Sequence, residues 1–487
     1  MLGIKLKQFL FLLMMSVSLL SACGGGGSDG ADQGDTGDVL ITFTDAEGDF
    51  ATYTVDVLSI RLTRADGTEV ETLPMNTRID FAQYTEMTEF LTAASIPRGI
   101  YVRGSVILDY SNADIQVEDA AGVAQPVTQY LDSNGDPITT LEVAINLDGR
   151  RSLPIAPGIP KNLMLDFDLE QSHIVSLDDP VTITVDPVFV VEVDPQTPRI
   201  HRTRGPLRSV DVANSAFDIY IRPFYHRIRT GQRVFGNLHV ITSDETVFEI
   251  DGISYQGNDG LVVLEGKTQF TAVIARGALR LNPLRFEANE VYAGSSVPGG
   301  DMDVVRGTVT GRTVDDQVIV QGATLFRTDG VIVFNDYVTV QLDDSTMVSK
   351  QMNVGSFNID DISVGQRISV FGTITNDQVS DLQMSAANGF ARMRISSVHG
   401  EVTALPGDAT DLSVNLTSIN GRNASIYDFT GTGIDAGNDA DPLNYEMETG
   451  SLSLEGIAVS DPVITRGFPT PFGSAPADFT AVSIISN

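Results

Sequence analysis

The sequence predicts an all-β protein, built from an N-terminal β-sandwich followed by tandem small antiparallel β-barrel-like modules. Short runs in which apolar and polar residues alternate recur along most of the chain, for example at 181–185 and 338–342, and this period is typical of half-buried strands. Turn signals rich in Gly, Asp and Asn separate the runs, as at 133–136. Long helical patterns are scarce, and several motifs return in the second half of the chain. These features together are typical of sandwiches and small barrels.

The composition excludes several classes of protein. The 487 residues include 64 acids and 31 Lys or Arg, which gives a formal net charge of −33. We therefore expect no nucleic-acid partner, because phosphate contacts need Lys and Arg. A hydrophobic content of 42% is too high for a wholly disordered chain. The single Cys rules out internal disulfides and Cys-based zinc or iron–sulfur sites.

Residues 1–22 are predicted to be a signal peptide. Lys5 and Lys7 precede an uncharged, largely apolar run at 9–20, which has the length of a signal-peptide core and is short for a membrane-spanning helix. The segment ends in Leu20-Ser21-Ala22-Cys23, which resembles the lipobox of bacterial lipoproteins. The alternative is an ordinary secretory signal followed by an incidental Cys. We favour the lipobox because the only Cys of the chain lies at the one position where a lipobox needs it.

The lipobox resemblance implies a lipid anchor. It implies a diacylglyceryl thioether on Cys23 and an acyl chain, such as palmitate, on the amine of that residue; several acyl chains together anchor a protein stably. Asp after the Cys retains a lipoprotein in the inner membrane under enterobacteria-like sorting, so Gly24 favours the outer membrane. We therefore predict a cell-envelope protein anchored by lipid to the outer membrane, on either its periplasmic or its cell-surface face.

Residues 23–38 are predicted to be a flexible tether, because they are Gly and Asp with almost nothing apolar. An Asp recurs at every third position from Asp29 to Asp38, a spacing that would suit calcium. A solvated spacer is the favoured interpretation, because a flexible chain would have to be ordered before it could bind a cation.

Residues 39–196 are predicted to be the β-sandwich domain. An opening strand ends in a Thr-Asp-Ala turn at 44–46, a V-x-V-x-x-I-x-L strand follows at 55–62, and P-x-G-x-Y at 97–101 leads into a further strand. This order resembles family 4382 of the domains of unknown function, a bacterial lipoprotein domain. The resemblance carries no catalytic residues to this chain.

Residues 203–297, 304–394 and 395–487 are predicted to be three β modules of about 95 residues each. Two patterns recur at this interval. The first begins with Gly205, Gly307 and Gly400, and the second, apolar-x-Ala, occupies 286–288, 384–386 and 479–481. The modules loosely resemble the small barrel repeats of family 5666 of the domains of unknown function, which often occur in envelope lipoproteins. The alternative is a single large β domain in which the similar patterns recur by coincidence.

The sequence shows no catalytic constellation. None of the five His has zinc-motif spacing, and there is no G-x-S-x-G elbow. The loop at 132–136 begins like a calcium loop, but Pro137 replaces the Gly of its sharp turn, so a hairpin turn is favoured. A second acidic loop supplies the candidate calcium ligands, which are Asp435, Asp439 and Asp441.

One local stretch reverses the charge of the chain. Eight Arg lie between Arg199 and Arg233, with only Asp211 and Asp218 as acids. Arg binds phosphates and carboxylates well, so we predict an anion site for lipopolysaccharide or an acidic glycan. Its candidate residues are Arg202, Arg204, Arg227 and Arg229. The alternative, which we favour, is that these arginines pair with acids of the neighbouring domain and fix the junction.

These observations predict a lipid-anchored envelope protein with a non-enzymatic structural or binding role and no cofactor, apart from the calcium considered above. The partners we consider are the membrane, an envelope glycan, lipopolysaccharide or another protein. A carboxylate-dependent hydrolase is one alternative, since paired acids serve glycosidases. A calcium-stiffened adhesin or stalk is the other.

Overall fold

Strands make up most of the structure, a computed structural model that describes residues 35–44, 50–83, 87–119, 123–147, 149–195, 199–222, 235–313, 315–405 and 411–486. Two short α-helices occur among these described residues, α1 Leu169–Ser172 and α2 Gly257–Glu265. The prediction of an all-β fold with tandem barrel-like modules is confirmed. The predicted signal peptide, Cys23 and most of the predicted tether lie outside the described residues.

The N-terminal domain is a sandwich of two main sheets. One sheet has the strand order β14-β11-β1-β5, and the other has the order β10-β6-β2-β3, with β4, β7 and β9 paired to β2 or β6. A small third sheet contains β12, β13 and β8. The strands are β1 Thr36–Thr44, β2 Phe50–Arg64, β3 Glu69–Glu71, β4 Thr77–Asp80, β5 Thr88–Pro97, β6 Gly99–Glu118, β7 Ala124–Pro126, β8 Gln129–Asp132, β9 Thr140–Asn146, β10 Leu153–Ile155, β11 Lys161–Phe167, β12 His173–Ser176, β13 Thr182–Val185 and β14 Phe189–Val193.

Three closed five-stranded barrels follow, which we call barrels 1, 2 and 3. Barrel 1 includes β15 His201–Asp211, β16 Ala216–Tyr220, β17 Asn237–Ile241, β18 Val247–Ile250, β19 Ile253–Gln256, β20 Ala272–Leu281 and β21 Leu284–Ala293. Barrel 2 includes β22 Asp303–Arg312, β23 Gln317–Phe326, β24 Ile332–Gln341, β25 Met347–Lys350, β26 Arg367–Gln378 and β27 Asp381–Arg394. Barrel 3 includes β28 Ser396–Ala404, β29 Asp411–Ile419, β30 Arg422–Asn423, β31 Tyr445–Glu448, β32 Pro462–Pro469 and β33 Phe479–Ser486. Single 3-10 turns lie at Phe81–Gln83, Gly149–Arg151, Val212–Asn214, Gly294–Ser296, Ile359–Asp361, Ala424–Ile426 and Pro442–Asn444.

The three barrels share one topology. In barrel 2 the closed circuit runs β22-β23-β24-β27-β26 and returns to β22, with β24 and β27 parallel and the other pairs antiparallel. Barrel 1 closes in the same way through β15-β16-β17-β21-β20, and barrel 3 through β28-β29-β31-β33-β32. The repeated sequence patterns therefore correspond to a repeated chain path.

The recurring glycines are explained by close approach of two strands. Gly205, Gly307 and Gly400 lie in the first strand of each circuit, where an added Cβ would lie 1.7, 2.6 and 2.7 Å from a carbonyl oxygen of the second strand. Only Gly fits a backbone contact of this kind. A second set, which the sequence analysis missed, has the same role between the fifth and fourth strands of each circuit. Gly277, Gly372 and Gly467, spaced 95 residues apart, lie against the carbonyls of Glu287, Ser385 and Thr480.

The sandwich and barrel 1 are joined by a continuous sheet. β5 of the sandwich pairs in parallel with β15 of barrel 1, in the register Arg202 opposite Glu89. The buried apolar residues of both units form one hydrophobic cluster, whereas barrels 2 and 3 have separate cores. Phe468 of barrel 3 nevertheless packs in the core of barrel 2. The units are thus interlocked, and their contact surfaces are the places where charged side chains become buried.

Candidate functional site

The outer face of barrel 1 packs against the outer face of barrel 2 through charged side chains. In the strands concerned, alternate residues such as Ala275 and Ala391 point into the barrel cores, and the residues between them point outward. Nine of these charged residues form what we call the junction network: Glu89, Arg202, Arg204, Glu249, Arg276, Glu290, Arg306, Arg392 and Arg394. Six arginines thus accompany three glutamates at this junction.

Glu89 connects the sandwich to barrel 1. Its carboxylate accepts a hydrogen bond from Nε of Arg202, and a second from Nε of Arg204 at 2.6 Å. The Glu89 side chain is only 2% exposed. Two of the four predicted anion-binding residues are therefore engaged with an acid of the neighbouring domain, which is the arrangement that the alternative interpretation expected. Arg227 and Arg229 lie outside the described residues.

Glu249 of β18 connects barrel 1 to barrel 2. Arg392 of β27 donates from Nε to the Glu249 carboxylate at 2.8 Å and adds a second hydrogen bond from Nη2, and Ser349 Oγ donates at 2.6 Å. The Arg392 guanidinium also lies 4.0 Å from the centre of the Tyr292 ring. Burial alone would raise the pKa of Glu249, but attraction to Arg392 and these hydrogen bonds hold it below its usual value. The pair is therefore ionised and satisfied.

Glu290 of β21 is the third acid of the network. Arg276 lies 3.0 Å from its carboxylate within barrel 1, and Gln351 of barrel 2 donates to it at 3.1 Å. Tyr292 donates its hydroxyl to the same carboxylate at 3.2 Å. Each acid of the network is thus bound by at least one arginine, and all three join different units: Glu89 and Glu249 do so through arginines, and Glu290 does so through Gln351.

Arg306 and Arg394 differ from the other arginines of the network. Within the described part of the chain, neither has a carboxylate within ion-pair distance; Arg306 stacks instead on Phe326, with 4.9 Å from its guanidinium carbon to the ring centre. Burial and repulsion by neighbouring arginines hold the pKa of both guanidinium groups well below the usual value. The junction therefore carries positive charge that the described acids leave unbalanced.

Arg422 of barrel 3 joins three units at a second junction. It lies 2.8 Å from Glu118 at the end of β6 in the sandwich and 3.4 Å from Asp336 in β24 of barrel 2. Its side chain is 8% exposed. Barrel 3 thus contacts the sandwich as well as barrel 2, so contacts are not limited to units that are adjacent along the chain.

A cleft of about 240 Å³ lies between the sandwich and barrel 2. Its polar lining from the sandwich includes Arg78, Asp80 and Asp114, and its apolar lining comes from 331–334 in barrel 2. Asp80 accepts a hydrogen bond from the Tyr53 backbone N–H at 2.9 Å, and Arg78 donates to the Asn112 carbonyl at 2.7 Å. These contacts fix the strands of the sandwich that line the cleft.

The carboxyl groups with raised pKa values lie away from this cleft. Burial raises the pKa of Asp166 in β11, and it raises the pKa of Asp478, beside β33, to about 7. Among the described acids, these two are the ones shifted in the direction that a general acid needs. They are in different units, so no described pair of them supports the hydrolase alternative.

The predicted calcium ligands lie in one loop of barrel 3, and each binds backbone. Asp435 accepts from the Gly437 N–H at 2.9 Å, Asp439 accepts from the Gly433 N–H at 3.0 Å, and Asp441 caps the 3-10 turn at Pro442–Asn444 by accepting from Leu443 at 2.9 Å. In the described ranges no group of three or more His, Cys, Asp or Glu is placed to hold a metal ion. The calcium site stays a prediction.

Sequence reasoning missed most of the junction network. It identified Arg202 and Arg204 but none of the three glutamates and none of Arg306, Arg392 and Arg394. One signal was present: Arg202-Thr203-Arg204 and Arg392-Met393-Arg394 repeat Arg at the strand period, which places both arginines of each pair on the outer face. The proposed lipidation residue, Cys23, lies outside the described residues.

Comparison with known proteins concerns the sandwich. Residues 36–183 match the family model described as Domain of unknown function (DUF4382), which confirms the predicted resemblance for the N-terminal domain. The resemblance of the barrels to family 5666 stays a prediction. No helix among the described residues combines the length and apolar character needed to cross a membrane. No curated protein and no solved structure matches the chain.

Proposed function

We propose that this chain is a cell-envelope protein anchored by lipid to the outer membrane, with a non-enzymatic structural or binding role. The observation that carries the anchor is the sequence Leu20-Ser21-Ala22-Cys23, which follows an apolar run and contains the only Cys of the chain. The observation that favours a structural or binding role is the interlocking of the units by Glu89, Glu249 and Arg422, since a different arrangement of the units would leave one of these charges buried without its partner.

The segment between Cys23 and the first strand is short enough to keep a lipid-anchored sandwich close to the membrane. The first strand begins at Thr36, so 12 residues, 24–35, lie between it and Cys23. A Gly-rich chain of that length has an end-to-end distance of roughly 20 Å, and about 45 Å when fully extended. Lipid on Cys23 would therefore keep the sandwich close to the membrane surface, and the negative charge of the tether would favour separation from anionic lipid.

The experiment is to replace the thiol that takes the lipid. Cys23→Ala should abolish incorporation of labelled palmitate and should move the protein from the membrane to the soluble fraction. Ser28→Ala, in the same Gly-rich segment, is the matched control and should leave both properties unchanged. Labelling that persists in Cys23→Ala would refute the anchor. Density-gradient separation of inner and outer membranes then tests the location, and crosslinking in intact envelopes tests for a glycan, lipopolysaccharide or protein partner.

A further inference from the structure

We propose that Arg306, Arg394 and Ser369 form a binding site for a phosphate group at the junction of barrels 1 and 2. The first observation is the arrangement on the outer face of barrel 2. Ser369 of β26 lies directly opposite Arg306 of β22 on one side and opposite Arg392 of β27 on the other. Arg394 is two residues beyond Arg392 on the same strand, so it lies on the same face.

The second observation is that two polar atoms of this set are buried without a hydrogen-bond partner among the described residues. The Ser369 side chain is fully buried, and within the described residues its hydroxyl has no hydrogen-bond partner. Nε of Arg306 is also buried without a partner in the described structure. Buried polar groups of this kind are rare because each one costs free energy unless it is bound. A ligand oxygen would satisfy both.

The third observation is charge. Arg202 and Arg204 bind Glu89, Arg392 binds Glu249, and Arg276 binds Glu290. The three acids are thus engaged, while the charges that act most strongly on Arg306 are those of four other arginines, first among them Arg394. Among the nine described residues of the junction network, six arginines accompany three glutamates, and a doubly charged oxyanion would offset part of this positive charge.

The geometry favours phosphate over a carboxylate. The donors come from three neighbouring strands, so they approach the face from different directions: Ser369 lies opposite Arg306 on one side and opposite Arg392 on the other, and Arg394 is two residues beyond Arg392. A tetrahedral oxyanion accepts from several directions at once, and guanidinium binds phosphate through two parallel N–H donors. Arg306 and Arg394 keep part of their surface exposed, so solvent and a small ligand can reach them. This inference goes beyond the proposed lipid anchor and does not depend on it.

The test uses inorganic phosphate and the purified full chain. Calorimetric titration should show saturable binding at one site, and phosphate should raise the melting temperature above that in chloride of equal ionic strength. Arg306→Gln and Arg394→Gln should each weaken phosphate binding at least tenfold, and Ser369→Ala should weaken it several-fold. Arg280→Gln, which changes an exposed arginine paired with Glu287, should leave phosphate binding unchanged.

A second readout separates loss of the site from loss of the fold. In phosphate-free buffer, Arg306→Gln should melt at or above the temperature of the unmodified chain, because the substitution removes an unpaired charge from the junction. Glycerol 3-phosphate distinguishes the source of the ligand: tighter binding than inorganic phosphate indicates the phosphoryl group of a larger molecule, and weaker binding indicates the free ion. The proposal is overturned if phosphate acts no more strongly than chloride, or if both Gln variants bind phosphate as the unmodified chain does.

Discussion

The buried pair between Glu249 and Arg392 provides the sharpest test of how barrels 1 and 2 are joined. We consider Glu249→Gln, which keeps the shape of the side chain and removes its charge. Both partners are 5% exposed, and the carboxylate accepts two hydrogen bonds from Arg392 and one from Ser349. The substitution leaves the Arg392 cation buried without its bonded carboxylate, with the rings of Tyr292 and Phe371 and the Ser296 carbonyl as close partners among the described residues. Removing one partner of a buried pair costs about 3–5 kcal/mol, and we expect a loss of this size in the free energy of unfolding.

A matched substitution at the surface calibrates this effect. Glu287 also accepts hydrogen bonds from arginines, Arg280 and Arg285, but it is 35% exposed and Arg280 is 54% exposed. Exposed pairs contribute about 0–1 kcal/mol, so Glu287→Gln should change the free energy of unfolding by no more than this. Comparison of the two variants therefore shows how much of the loss in stability depends on burial of the ion pair.

The assay is urea unfolding followed by circular dichroism, since the chain has no Trp for fluorescence. Arg392→Met and the double variant with Glu249→Gln complete a mutant cycle. The double variant should lose less stability than the sum of the two single losses, by at least about 2 kcal/mol, because it leaves no unpaired buried charge. Purely additive losses, or a Glu249→Gln effect as small as that of Glu287→Gln, would refute a buried ion pair between the barrels.

Two further predictions concern barrels 2 and 3. Burial raises the pKa of Asp478 to about 7. The folded protein therefore binds a proton at Asp478 more tightly than the unfolded chain does. The contribution of Asp478 to the free energy of unfolding should fall by roughly 4 kcal/mol as the pH rises from about 4 to 7. Asp478→Asn keeps the acceptor for the Glu446 N–H and should remove this dependence on pH. In urea unfolding, the variant should gain stability relative to the unmodified chain between pH 5 and pH 8. A difference in stability between the two proteins that is the same at both pH values would contradict the raised pKa. Gly372→Ala should lower the free energy of unfolding by about 1–3 kcal/mol, because its Cβ would lie 2.3 Å from the Ser385 carbonyl oxygen. Gly300→Ala should melt as the unmodified chain does, because the nearest atom to its Cβ would be the Val297 carbonyl oxygen at 3.7 Å. Equal melting of the two Gly variants would count against the close approach of β26 and β27.

The parts of the fold that depend on local sequence were predictable, and the contacts between units were not. Alternation at period two located the strands, and the recurring Gly and apolar-x-Ala patterns located the repeated barrels, because each pattern reports a constraint within one unit. The second set of glycines, including Gly372, follows the same 95-residue spacing and could have been found from it. Glu249 and Arg392, by contrast, are 143 residues apart, and nothing local to either strand indicates which outer face another barrel will cover.

Because the three barrels share one topology, the buried charges serve to select the correct contacts between units. The three barrels share one strand circuit, and apolar contact alone discriminates poorly between correct and incorrect docking because it is non-directional. A charged face discriminates strongly, because a misplaced partner would leave Glu89, Glu249 or Arg422 buried without its counter-ion. Glu89 and Glu249 each join two units and Arg422 joins three, so these residues lie where such selection acts. Arg306 and Arg394 lie on the same outer face of barrel 2, but no described acid forms an ion pair with either of them. Specific docking of the barrels therefore does not account for these two arginines, whereas binding of an anion does.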